Sequence, residues 1–139
     1  MIIIKSPEDI KKLKKACKIS ADVLQYAGEQ INAGMSTYEL DKLIHDYIIA
    51  AGAKPSFLNY EGFPFTIGAS LNEQVVHGFC SDVQLKEGDI ISIDCGVIWE
   101  GYHADAARTF PVGNVTSEKQ KLINVTKESF FEGIKDIKA

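Results

Sequence analysis

Asp94 and Asp105 are the residues of this chain whose type and spacing point most directly to chemistry. They lie in the stretch from Asp89 to Phe110, where two β-rich runs flank Glu100-Gly101. That pattern predicts a hairpin with a short glycine-containing turn. With Glu100 and Gly101 as the turn, Trp99 faces Tyr102, Asp94 falls opposite Ala107, and Asp105 falls opposite Gly96. Side chains alternate faces along a strand, so both carboxylates then share one face as diagonal neighbours. At about 5 Å and an effective dielectric of about 20, two such charges repel by roughly 3 kcal/mol. One acid answers by holding its proton, or a divalent cation settles between them, since hard oxygen donors suit Mn, Fe, Co or Zn. The plainer alternative is that one Asp is simply solvated. A bulge at Gly101 would shift the register by one and send the two acids to opposite faces.

Three other groups are candidates. His77 follows Val75-Val76, which read as a strand, and stands beside Gly78 one segment ahead of the hairpin. A lone histidine is commonly structural, but this place favours a functional one. His103 sits two residues before Asp105 on the same expected face, as a third ligand or a partner of a ligand. Between Lys54 and Gly68, Phe57, Tyr60, Phe63 and Phe65 are interleaved with Pro55, Gly62, Pro64 and Gly68. Such a segment either lines an apolar pocket or fills core between strands. Cys80 has no second motif to pair with as a nucleophile.

The elements that position these residues begin with a helix. Ser6 is a good N-cap, Pro7 suits the first turn, and Glu8 and Asp9 favour the positive end of the helix dipole. Ile10, Leu13, Cys17, Leu24, Ala27 and Ile31 recur at three- and four-residue steps as a core stripe, with Gly34 as the stop. Lys11, Lys12, Lys14 and Lys15 read as a solvated outer face rather than a binding patch. Ser36 to Glu39 is a capping-box pattern opening a second helix, whose buried face is Leu40, Leu43, Ile44, Tyr47, Ile48 and Ala51. His45 falls on its outer side, and Gly52 ends it. A last helix starts near Ser117-Glu118-Lys119-Gln120, again a capping box, with a looser stripe of Ile123, Val125, Phe130, Ile134 and Ile137.

Composition narrows the class. The 139 residues amount to one domain, 1–139, and 45% apolar content supports a packed core. A net charge of −4 does not indicate a nucleic-acid footprint. Three scattered cysteines argue against a disulfide framework and for a reducing compartment, the cytoplasm. The Ile run before Ser6 is too short for a signal peptide, and no stretch reaches transmembrane length, so no membrane partner is expected.

Three signals in fixed order complete the picture. They are Asn72-Glu73-Gln74-Val75-Val76-His77-Gly78, then Gly88 through Gly96, then Gly101 through Phe110. Together they closely resemble type I methionine aminopeptidase, from about residue 6 onward. The resemblance implies an α+β fold, half of a pita-bread, with an antiparallel sheet and helices packed on one face. It implies removal of the initiator Met from nascent peptides by two divalent ions (Co, Mn, Fe or Zn) that activate a water, with a Glu as general base. Asp94 and Asp105 match metal ligands. His77 matches the histidine that contacts substrate near the scissile amide and helps stabilise the transition state. Phe57, Tyr60 and Phe63 fall where the family lines its Met pocket. Here the chain departs from the pattern: the family often has Cys at the position of Phe57, and Gly68 replaces another small pocket residue. Asn72 and Gln74 fall where backbone carbonyls can hold a monovalent cation.

The same resemblance places the remaining His and Glu ligands, and the general base, in a second half that these residues do not contain. The expectation is therefore an N-terminal half, truncated at its C-terminus. It should be inactive alone, bind divalent ions weakly or not at all, and self-associate through the apolar surface the second half would cover. The full enzyme would act on nascent N-termini, with the ribosome as a possible docking partner. Two other readings stand beside this one. An Xaa-Pro peptidase or prolidase shares the Asp spacing. A non-catalytic binding module of the same fold would have no use for paired carboxylates.

Overall fold

The computed structural model describes residues 3–137. Three helices and four strands form in the order α1 (Pro7–Gln30), α2 (Thr37–Ala50), β1 (Lys54–Pro55), β2 (Ile67–Leu71), β3 (Ile90–Trp99), β4 (Tyr102–Pro111) and α3 (Ser117–Ile134), with a 3-10 turn at Tyr60–Gly62 before β2. The Ile run ahead of Ser6 is described only from Ile3, and the chain end at Ala139 lies outside the described residues.

The sheet is built on β3. It pairs with β4 along its whole length on one side, and with β2 and then β1 in succession on the other; every pairing is antiparallel. Ile91, Ile93, Cys95 and Val97 alternate along β3 and are fully buried. They face α1 and α2, which share one face of the sheet. From α2 come Leu40, Ile44 and Ile48, all fully buried. Each such side chain contributes about 1.5–3 kcal/mol through burial.

Capping sets the starts of α1 and α2 as expected. The Ser6 hydroxyl accepts from Asp9 N–H at 3.2 Å, and the Asp9 carboxylate accepts from Ser6 N–H at 2.8 Å. Ser36 and Glu39 form the same reciprocal pair. The core stripe of α1 differs from the expected one. Ala16, Ile19, Ser20, Val23, Leu24 and Ala27 are buried, whereas Cys17 is exposed and Ile10 is 44% exposed. The reason is close approach: small residues at 16, 20 and 27 bring the helix down on the sheet, where Ser20 Oγ donates to Cys95 O. Gly28 lies against the Phe110 ring, where a Cβ would stand 2.5 Å from Cε1. The first turns instead meet the hairpin tip, through Asp9 with Tyr102 and Lys12 with Glu100. The helix also ends at Gln30, ahead of Gly34, whose left-handed φ of 92° serves the connecting turn.

Two more expectations change. Val75 and Val76 form no strand; they are 87% and 62% exposed in the loop between β2 and β3. β2 and β1 already occupy that side of β3, and left-handed backbone at Asn72 (φ 51°) and His77 (φ 57°) bends the chain away from an extended path. The last helix is capped by Thr116, whose side chain accepts from Lys119 N–H at 3.3 Å, and not by the Ser117–Gln120 box. No residue of α3 is buried, so its apolar stripe faces no core among the described residues.

Candidate active site

The hairpin register decides whether the two acids meet. Trp99 pairs with Tyr102, Asp94 with Ala107, and Gly96 with Asp105, in the register the two-residue turn requires. Glu100 and Gly101 have φ of 48° and 82°, the left-handed pair of a type I′ turn. No bulge intervenes, so Asp94 and Asp105 share the sheet face opposite the helices. Asp94 is partly buried and Asp105 is exposed. Burial pushes the Asp94 carboxyl up, and the charge of Asp105 and a proton shared with it push further, to about 6, against the opposing charge of His77.

His77 reaches this face by a route the sequence does not reveal. Gly68 of β2 pairs with Asp94. A Cβ at Gly68 would stand 3.6 Å from Asp94 Cβ and 4.0 Å from His77 Cα, so all three positions converge. The loop docks through Gly78, which presses so closely on the Ala69 carbonyl that a Cβ has no room. Its N–H donates to Ser70 Oγ at 3.1 Å, and its carbonyl accepts from Ala69 N–H at 2.9 Å. β2 is itself tethered to α2: the Asp41 carboxylate accepts from Thr66 and Ile67 N–H at 2.8 and 3.0 Å. His77 is not at a strand end, but it does stand at the carboxylate pair.

The aromatic residues divide. Phe57 lies over the backbone of Gly96, where a Cβ would come within 2.5 Å of its ring. Gly96 is the next residue after Asp94 on that face, so Phe57 walls the carboxylates on one side. Phe63 packs edge-on with Phe65 and Phe79, at centroid distances of 5.9 and 5.4 Å, and Tyr38 joins through Phe65. Tyr60 is 67% exposed on its 3-10 turn. His103 is exposed on the Asp105 face and hydrogen-bonds Ser56 Oγ at 2.7 Å. Cys80 is buried, and burial followed by the Asp41 charge pushes its thiol well up, which suppresses the thiolate a nucleophile needs. Sequence reasoning missed Phe79 and Ser56, and it named Gly96 only for its register opposite Asp105. Only Phe79 carried a usable signal, an aromatic two residues beyond His77.

Asp94 and Asp105 fit a divalent cation as part of a coordination shell. Their oxygens are hard donors, and a cation would relieve the repulsion that raises Asp94. Such ions take several donors, and among the described residues no group of three or more His, Cys, Asp and Glu side chains is placed to hold one.

With this geometry in place, the family follows. Metallopeptidase family M24 matches residues 11–139, and the chain belongs to it. A methionine aminopeptidase of Clostridium perfringens is 48% identical over 134 residues, which is 96% of this chain and 54% of that protein. The structure superposes on a crystal structure of methionine aminopeptidase from Thermotoga maritima with a TM-score of 0.95 at 37% identity, covering 99% of this chain and 56% of that one. An Xaa-Pro dipeptidase from Bacillus anthracis agrees less well, with a TM-score of 0.84 at 26% identity, over 98% of this chain and 37% of its own. The helices and antiparallel sheet are thus half of the pita-bread fold of the methionine aminopeptidases. The chain spans about half the length of the curated relatives it matches.

Proposed function

We propose that this chain supplies the Asp94–Asp105 half of the metal centre of a methionine aminopeptidase, which removes the initiator Met from nascent proteins. One observation carries this: the register-fixed carboxylate pair beside His77, in a chain 48% identical to a methionine aminopeptidase. Asp94 and Asp105 would hold the divalent ions (Co, Mn, Fe or Zn), with further ligands coming from sequence outside these 139 residues. When bound, such ions lower the pKa of water and polarise a peptide carbonyl. His77 would donate to the oxygen that gains charge in the transition state. Phe57, Tyr60 and Phe63 would receive the Met side chain, whose thioether suits aromatic walls. Phe57 defines the side of that pocket nearest Asp94.

Free Cys17, Cys80 and Cys95 support a reducing, cytoplasmic setting, and no helix among the described residues is long and apolar enough to cross a membrane. The substrate would be the N-terminus of a nascent peptide, met near the ribosome. Alone, the chain would be inactive and would self-associate through the exposed apolar face of α3.

The test is Met release from a Met-Ala-Ser peptide with Co or Mn titrated in, beside an Ala-Pro peptide. The expected result is no turnover by the 139-residue chain, and metal-dependent Met release once a C-terminal partner segment is added. Cleavage of the Ala-Pro peptide instead would move the assignment to the Xaa-Pro enzymes.

A further inference from the structure

The loop that carries His77 has little packing of its own. Glu73 through His77 are all exposed. A segment without buried apolar contacts is ordered by its hydrogen bonds. Within this one, Gln74 Oε1 accepts from Leu71 N–H at 2.9 Å and Gln74 N–H donates to Leu71 O at 3.1 Å; the rest depends on what holds its ends. Gly78 pins one end to β2. The other end is Asn72, a left-handed residue (φ 51°) whose N–H and side chain are both hydrogen-bonded. Its N–H donates to Ile90 O at 2.9 Å, and its side-chain oxygen accepts from Ile90 N–H at 3.1 Å. The side chain thus stands in for one more strand residue beyond Leu71. Its amide donates to Asp89 Oδ1 at 2.9 Å, while the other Asp89 oxygen accepts from Lys86 N–H at 2.9 Å.

The third member comes from α3. Lys119 Nζ donates to Gly88 O at 2.6 Å and to Asn72 Oδ1 at 3.3 Å. Lys119 is partly buried on a helix with no buried residue, so this is one of the few attachments α3 makes. Burial alone would raise the Asp89 carboxyl; the Asn72 and Lys86 hydrogen bonds and the Lys119 and Lys86 charges bring it net below the ordinary value.

We infer that Asn72, Asp89 and Lys119 form one anchor that holds the 71–78 loop, and with it His77, at the carboxylate pair, so that α3 is coupled to the candidate site. This rests on the reading of His77 given above. Lys119 touches none of the reacting groups and is a positioning residue.

The test compares the unaltered chain with Lys119→Met, Lys119→Arg and Asp89→Asn by NMR. The chain has only three histidines, His45, His77 and His103, so their ring signals are readily assigned. In Lys119→Met the His77 signals should shift or broaden while those of His45 and His103 stay. Exchange at the Gly78 amide should rise about tenfold or more, with the core amides of Ile91 and Ile93 unchanged. Lys119→Arg should restore both, and Asp89→Asn should reproduce the loss. Unmoved His77 signals in both Lys119→Met and Asp89→Asn overturn the inference. So does uniform loosening that includes Ile91 and Ile93, because that marks a purely global stability role. The two possible failures stay separate: a His77→Ala variant in the Met-release assay decides the catalytic role of His77, and the NMR comparison decides the anchor.

Discussion

Asp94 shows how one residue's chemistry is set by neighbours it did not choose. In an unfolded chain it titrates as an ordinary carboxylate; on the sheet, burial and Asp105 lift it to about 6. The folded state then binds its proton more tightly than the unfolded state does. The stabilisation from this group is full below the ordinary carboxylate range and is lost as pH rises from there through about 6. For the metal-free chain, Asp94→Asn should flatten this fall in melting temperature, measured by thermal melts at a series of pH values. Asp105→Asn should bring the Asp94 titration down toward the usual range, as followed by carboxyl NMR. An unchanged Asp94 titration in that variant would show that the two carboxylates do not face each other.

At the scale of elements, a two-residue turn decides the site. Shifting the hairpin by one residue would send Asp94 and Asp105 to opposite faces. Gly101 has φ 82°, a backbone that costs an L-residue about 1–2 kcal/mol. Gly101→Ala should therefore destabilise the chain by about 1–2 kcal/mol in urea denaturation, with the loss centred on the hairpin amides. The hairpin was legible in the sequence because turn chemistry and strand alternation agreed there. The stripe on α1 was less so: counting large apolar residues overlooks Ala16, Ser20 and Ala27, which pack because they are small. The Val75-Val76 segment misled for another reason. β-branched residues favour a strand only where an edge is free to receive them, and β1 and β2 hold that side of β3.

At the scale of the molecule, the core of the described residues lies between the sheet and α1 and α2, with Cys80, Leu85 and Val112 of the connecting segments packed into it. Leu122, Val125, Phe130 and Phe131 on α3 are more than half exposed. Contiguous apolar surface of this kind drives association in water. The chain should sediment above its monomer mass of 15.3 kDa, and Phe130→Ser with Phe131→Ser should return it toward monomer. A concentration-independent monomer before substitution would remove the proposal that α3 mediates self-association.

The sequence by itself determined the local matters: the caps at Ser6 and Ser36, the turn at Glu100-Gly101, the alternation along β3, and hence the shared face of Asp94 and Asp105. Each is set by residues a few positions apart, so spacing suffices to read it. Only the tertiary structure decided what depends on distant segments meeting. It brought His77 to Asp94 across Gly68, laid Phe57 over Gly96, turned His103 to Ser56, and joined Lys119 to Asn72. Those contacts arise from sheet pairing and from glycines whose missing side chains let backbones touch, and no periodicity along the chain records which strand will lie beside which.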